Sequence, residues 1–84
     1  MYKFVMHSDP GHGWLEVPRS LLDTLGIAGD VSKYSYIDGA HAYLEEDCDA
    51  PRLLRALEER GELFTLRSHH LNRDHWIRSL QRFF

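Results

Sequence analysis

Residues Val31 to Glu46 read VSKYSYIDGAHAYLEE, two runs of alternating character on either side of Asp38-Gly39. Asp-Gly favours a two-residue type I′ hairpin turn, in which both central residues need positive φ. The stretch therefore reads as two strands, Val31 to Ile37 and Ala40 to Glu46. That turn sets Ile37 opposite Ala40, Tyr36 opposite His41, Ser35 opposite Ala42 and Tyr34 opposite Tyr43. Opposed residues share a face of the sheet. One face then carries Ile37, Ala40, Ala42 and Leu44, small and apolar enough to lie under a helix. The other carries Tyr34, Tyr36, His41 and Tyr43, apolar rings with polar tips.

The flanking segments supply what such a hairpin would pack against. Tyr2 to His7 reads as a strand, followed by the breaker-rich loop Ser8 to Gly13 (SDPGHG) and a second strand from Trp14 to Val17. Pro18 opens a short helix at a position where its missing N–H costs little. Leu21, Leu22 and Leu25 share one face of that helix and Gly26 ends it. After the hairpin, Asp49 is a candidate N-cap with Pro51 in the first turn, and apolar positions at Ala50, Leu53, Leu54 and Leu57 mark an amphipathic helix ending at Gly61. Glu62 to Ser68 alternates as a strand and HHLNRDHW is a polar connection. The tail, WIRSLQRFF, is a short helix capped by Asp74 or an irregular packed end. The fold class that follows is α+β in a single domain over residues 1–84: a small antiparallel sheet with a type I′ hairpin and two short helices packed on one face.

Composition excludes several classes. The 43% hydrophobic content is ordinary for a globular chain. No apolar run approaches the roughly 20 residues that span a membrane, and the N-terminus has no apolar core of signal-peptide length. A single cysteine forms no internal disulfide, which fits a reducing compartment, so the expected location is the cytoplasm of a bacterial cell. Residues 1–51 hold three Lys/Arg against nine Asp/Glu, whereas residues 52–84 hold seven Arg against four acids. An acidic first half disfavours direct DNA binding and suits a basic partner surface.

The acids Glu45, Glu46, Asp47 and Asp49 lack the alternating ligands and central glycine of an EF-hand loop. Their placement before a helix favours its dipole, with a partner-facing patch as the functional alternative. Cys48 lies among carboxylates that oppose thiolate formation, and is read as a buried small residue. Six histidines are many for this length; His69, His70 and His75 fall in one loop and His7 and His12 flank another. None shows the i, i+4 pair or Cys/His set of a zinc motif, so they are read as solvated, with no metal and no cofactor. Walker, GxSxG and dinucleotide fingerprints are also missing, and no enzyme is expected. The tyrosine face is the best functional lead, because rigid rings make binding anchors. The alternative is that the C-terminal segment covers it, with Trp76, Phe83 and Phe84 as partners.

Two resemblances bear on function. Gly13 to Glu46 resembles the swapped-hairpin domain of AbrB/MazE-type regulators and antitoxins: a glycine before a short strand, Pro18 opening a helix, "LGI" at Leu25 to Ile27, "GD" at Gly29-Asp30, then strand–"DG"–strand. That resemblance implies an interlocked dimer that binds DNA. Trp14, however, stands where that family usually has a basic or polar residue, and the matching region is acidic. The whole chain, especially "HGWLEVP", "YSY" and "YLEEDCDA", looks like small proteins carried by phages and plasmids, among which anti-CRISPR-type inhibitors occur. This second resemblance implies a non-enzymatic inhibitor, monomer or homodimer, that binds a host protein with a basic nucleic-acid-binding surface, such as a CRISPR effector subunit. The expected partner-binding residues are Tyr34, Tyr36, His41, Tyr43, Glu45, Glu46, Asp47 and Asp49.

Overall fold

The computed structural model describes residues 1–83. Its elements in chain order are β1 (Tyr2–Ser8), β2 (Gly13–Pro18), α1 (Arg19–Thr24), β3 (Tyr36–Asp38), β4 (His41–Glu45), α2 (Asp49–Glu59), β5 (Phe64–His70) and β6 (Gln81–Arg82). Single 3-10 turns occupy Ala28–Asp30 and Trp76–Ser79. The strands form one sheet in the order β5-β1-β2-β4-β3-β6.

The sheet is mixed, which corrects the expectation of an antiparallel one. β1–β2, β2–β4, β3–β4 and β3–β6 are antiparallel, but β1 and β5 run parallel from Tyr2↔Phe64 to Ser8↔His70. A parallel arrangement needs a crossover, and α2 supplies it between β4 and β5. Its 11 residues rise about 16 Å. The three strand spacings from β4 to β5 amount to about 14 Å, so the helix is long enough to step over β2 and β1.

The hairpin register is also corrected. Asp38 pairs with His41, Ile37 with Ala42 and Tyr36 with Tyr43, so Gly39 and Ala40 form the turn rather than Asp38 and Gly39. A type I′ turn needs two central residues at positive φ, yet Gly39 (φ 60°) has it and Ala40 does not, since no non-glycine among the described residues does. Each cross-strand partner moves by two residues. Because side chains alternate with period two, the assignment of faces survives the shift.

On one face Phe4, Leu15, Val17, Ala42 and Leu44 form a buried cluster with Leu21 and Leu22 of α1 and Ala50, Leu53 and Leu57 of α2. The expected strand from Val31 reduces to β3, because Asp49 pulls the preceding residues into a turn. Its carboxylate accepts hydrogen bonds from the Ser32 N–H (3.1 Å), the Ser32 hydroxyl (2.7 Å) and the Ser35 hydroxyl. Such local serine–carboxylate bonds compete with ladder formation. Asp49 is therefore no N-cap: that position is Cys48, which makes no side-chain capping bond.

Leu53 is fully buried at the centre of this cluster. Leu53→Ala removes its methyl groups where the surrounding elements relax only partly, so a loss of about 2–5 kcal/mol is expected. Urea unfolding measures it directly; a change below about 1 kcal/mol would place Leu53 outside the core.

Candidate functional site

The second sheet face is built by the same alternation that builds the core. Residues Val5, His7, Trp14, Glu16 and Tyr43 follow from the β1–β2 and β2–β4 registers, and the parallel β1–β5 register adds Arg67 and His69. Part of this face is covered from within the chain. Trp14, Tyr36, Tyr43 and Ile77 form a second buried cluster, with Leu80 packed against it. The Trp76 ring meets Tyr43 edge-on at 5.4 Å between centroids. Cover by the C-terminal segment thus applies to Tyr36 and Tyr43, although through Trp76, Ile77 and Leu80. Phe83 packs instead against the first core, and Phe84 lies outside the described residues.

What holds that segment down is Asp9. Its Oδ1 accepts the N–H groups of Gly11 (2.9 Å) and His12 (3.0 Å), closing the β1–β2 loop as an Asx-turn. Oδ2 accepts the His75 N–H at 3.0 Å, and the Arg78 guanidinium donates to both oxygens, at 2.6 and 2.9 Å. Arg78 also lies over the Trp14 ring, 5.2 Å from its centroid. The ion pair with Arg78 outweighs the desolvation of a buried carboxylate and, with the His75, His12 and Gly11 N–H groups, holds Asp9 well below the usual carboxylate range.

The clamp delivers His75 to the centre of the face, 2% exposed. Its ring packs on His7, His69, Trp14 and Trp76 at centroid distances of 4.9–6.0 Å. The His7 and His69 Nδ1 atoms lie 3.1 Å apart, and His7 Nε2 donates to Glu16 Oε1 at 2.8 Å. Burial first, then the neighbouring His7 and His69, depress the His75 pKa, so that ring is neutral at pH 7. Two of the histidines read as solvated are thus buried, since His7 is 7% exposed.

The expected partner-binding residues divide into two groups. Tyr36, Tyr43, Glu45 and Asp49 are buried and are corrected to structural roles. Tyr36 stacks under Arg82, 4.9 Å from its ring centroid, and burial, with Glu16 and Asp38 nearby, raises the Tyr43 pKa. Glu45 accepts the N–H groups of Asp47 and Cys48, both at 2.9 Å, ordering the turn into α2. Tyr34, His41, Glu46 and Asp47 remain exposed. Cys48 is exposed rather than buried. Desolvation, followed by the Glu45, Asp49 and Asp47 carboxylates, pushes its thiol pKa up, away from a nucleophile's.

Beside the tyrosines lies a cleft of about 290 Å³, floored by Trp14 and Tyr36 and rimmed by Tyr34, Asp47, Arg78 and Arg82. Among the described residues no helix is long and apolar enough to cross a membrane. Comparison with family models, curated proteins and solved structures finds no match to this chain.

Asp9 and Arg78 were not singled out by the sequence reading. The local signal was present, since Asp followed by Pro-Gly marks an Asx-turn, but nothing local pointed 69 residues ahead to Arg78. A depressed carboxylate pKa adds stability above the unfolded Asp value of about 3.9, and that stability is lost as pH falls through and below it. Asp9→Asn is therefore expected to cost about 2 kcal/mol at pH 7 and to flatten the acid limb of stability below about pH 5. Urea melts at neutral and acid pH check this, and parallel losses in both proteins would contradict it.

Proposed function

We propose that this chain is a non-enzymatic protein-binding module that inhibits a host nucleic-acid machine, such as a CRISPR effector. The identity of the target class rests on the resemblance to small phage- and plasmid-borne proteins. The observation that carries the binding role is Tyr34, 51% exposed at the rim of the aromatic cleft. Its backbone N–H donates to the Ser32 hydroxyl at 3.2 Å, within a turn anchored on the buried Asp49. A rigid exposed ring loses little conformational entropy on binding, which suits an affinity anchor.

Charge favours a basic loop of the partner as occupant. Glu46 and Asp47 are exposed beside Tyr34's cleft or next to its rim, whereas Arg78 is already paired with Asp9. Arg82 also lines this cleft and Lys33 Nζ lies over the Tyr34 ring, 5.7 Å from its centroid, so an entering arginine or lysine is drawn by the Asp47 carboxylate. The acidic patch of this reading is narrower than the four clustered carboxylates, because the Glu45 and Asp49 carboxylates accept internal hydrogen bonds.

An AbrB-type regulator offers its hairpin to a second chain. In this fold the hairpin is flanked within one chain, β4 pairing with β2 and β3 with β6. That arrangement supports the inhibitor over the regulator.

Tyr34→Ala and Asp47→Lys are each expected to weaken binding to a CRISPR effector about 10- to 30-fold while leaving the melting temperature unchanged. Titration against purified effector at low and high salt measures both effects. Undiminished binding by both folded variants would remove this site, and salt-sensitive binding to promoter DNA in place of effector would favour the regulator.

A further inference from the structure

We propose that His7, His69 and His75 form a site for one transition-metal ion of the zinc class, with Glu16 as its outer carboxylate. One ring nitrogen from each histidine lies within 4.8 Å of the others. The His7 Nδ1 to His69 Nδ1 separation of 3.1 Å is close to the edge of a tetrahedron with Zn–N bonds of about 2.0–2.1 Å, which is about 3.3 Å. His69 is exposed, so rotation of its ring adjusts the His69–His75 edge, whereas the His7–His75 edge is set by two buried rings whose nitrogens lie within 4.8 Å.

Two independent features point to a ligand. The first is His75 Nε2, the buried side-chain polar atom with no hydrogen-bond partner among the described residues. Leaving such a group unpaired costs about 1–3 kcal/mol. The second is Glu16. By accepting from His7 Nε2–H at 2.8 Å, it fixes the tautomer that leaves the Nδ1 lone pair turned toward His69. This carboxylate–histidine arrangement commonly orients a metal-ligating imidazole.

Proton positions follow. Without metal, His69 Nδ1–H donates to His7 Nδ1. With metal, His69 carries its proton on Nε2 instead. His75 Nδ1 now accepts a long 3.3 Å bond from the Ile77 N–H; ligation through Nε2 moves the ring proton to Nδ1, so that weak bond is given up and the metal–nitrogen bond has to outweigh its loss.

Three neutral imidazoles without thiolate suit Zn²⁺, Ni²⁺ or Cu²⁺ and discriminate against Mg²⁺ and Ca²⁺, which require oxygen ligands. His7, Glu16 and His69 also line a cleft with Val5, Arg67 and Ser68, which gives water a route to the remaining coordination position. The inference does not depend on the partner reading, since it uses none of the cleft residues at Tyr34.

The test is calorimetric titration of the untagged, metal-stripped full chain with Zn²⁺, with Mg²⁺ as control and Co²⁺ absorption reporting tetrahedral nitrogen ligation. One zinc per chain is expected. His69→Ala, at an exposed position, should lower affinity at least 10-fold, and Glu16→Gln about 10-fold. His12→Ala, outside the triad, should bind as the parent does. Zinc binding that is absent, or that His69→Ala leaves undiminished while its circular dichroism matches the parent, would overturn the site.

Discussion

The carboxylate of Asp9 is the constraint on which the second face of this sheet depends. Five donors converge on its two oxygens: three backbone N–H groups and two from the Arg78 guanidinium. Two of the backbone donors close the loop between β1 and β2, and the third is that of His75. A buried carboxylate is stable only when its acceptor capacity is met in this way. The charge thus ties the N-terminal hairpin to the segment His75 to Leu80, which roofs the aromatic face. Without the clamp, the segment from His75 to Leu80 keeps its packing on the aromatic cluster and the β3–β6 pairing that follows it, but loses its tie to the β1–β2 loop.

The two faces of the sheet solve different physical problems. The first is an ordinary apolar core, closed by leucines from both helices. The second is polar and aromatic, with buried histidines, a buried Asp9 and an unpartnered nitrogen. A small domain has little stability to spare for buried polar groups. A concentration of them on one face therefore calls for a functional explanation, and a bound ion is the most economical one. The Tyr34 cleft lies on the same side, separated from the histidines by Trp14, which packs against Tyr36 on one hand and His75 on the other.

Much of the first face was legible in the sequence. The periodicity of Leu21, Leu22, Leu53 and Leu57, the alternation through Ala42 and Leu44, and the Gly26 and Gly61 helix ends are local signals, and both glycines adopt positive φ. The hairpin's existence was legible and its register was not. Asp-Gly and Gly-Ala turns differ by one residue, and face alternation does not distinguish them. The candidate sites were legible only in part. The exposure of Tyr34 and Asp47 was legible because turn position and local charge are sequence-near properties. Tyr36 and Tyr43 have the same composition but are covered by Trp76 and Ile77, which arrive from more than thirty residues away. The histidine triad was hidden for the same reason. His7 meets His69 only through the parallel β1–β5 register, and His75 joins them only through Asp9.

The central claim is that the Asp9 clamp seats the C-terminal segment on the aromatic face and so assembles three imidazoles. Nuclear Overhauser spectroscopy of the labelled protein tests it most directly. The account predicts cross-peaks from the His75 ring protons to Trp14 and His7, with the His75 ring neutral at pH 7. A His75 ring with random-coil shifts, titrating near pH 6.5 and showing no cross-peak to either residue, would contradict it.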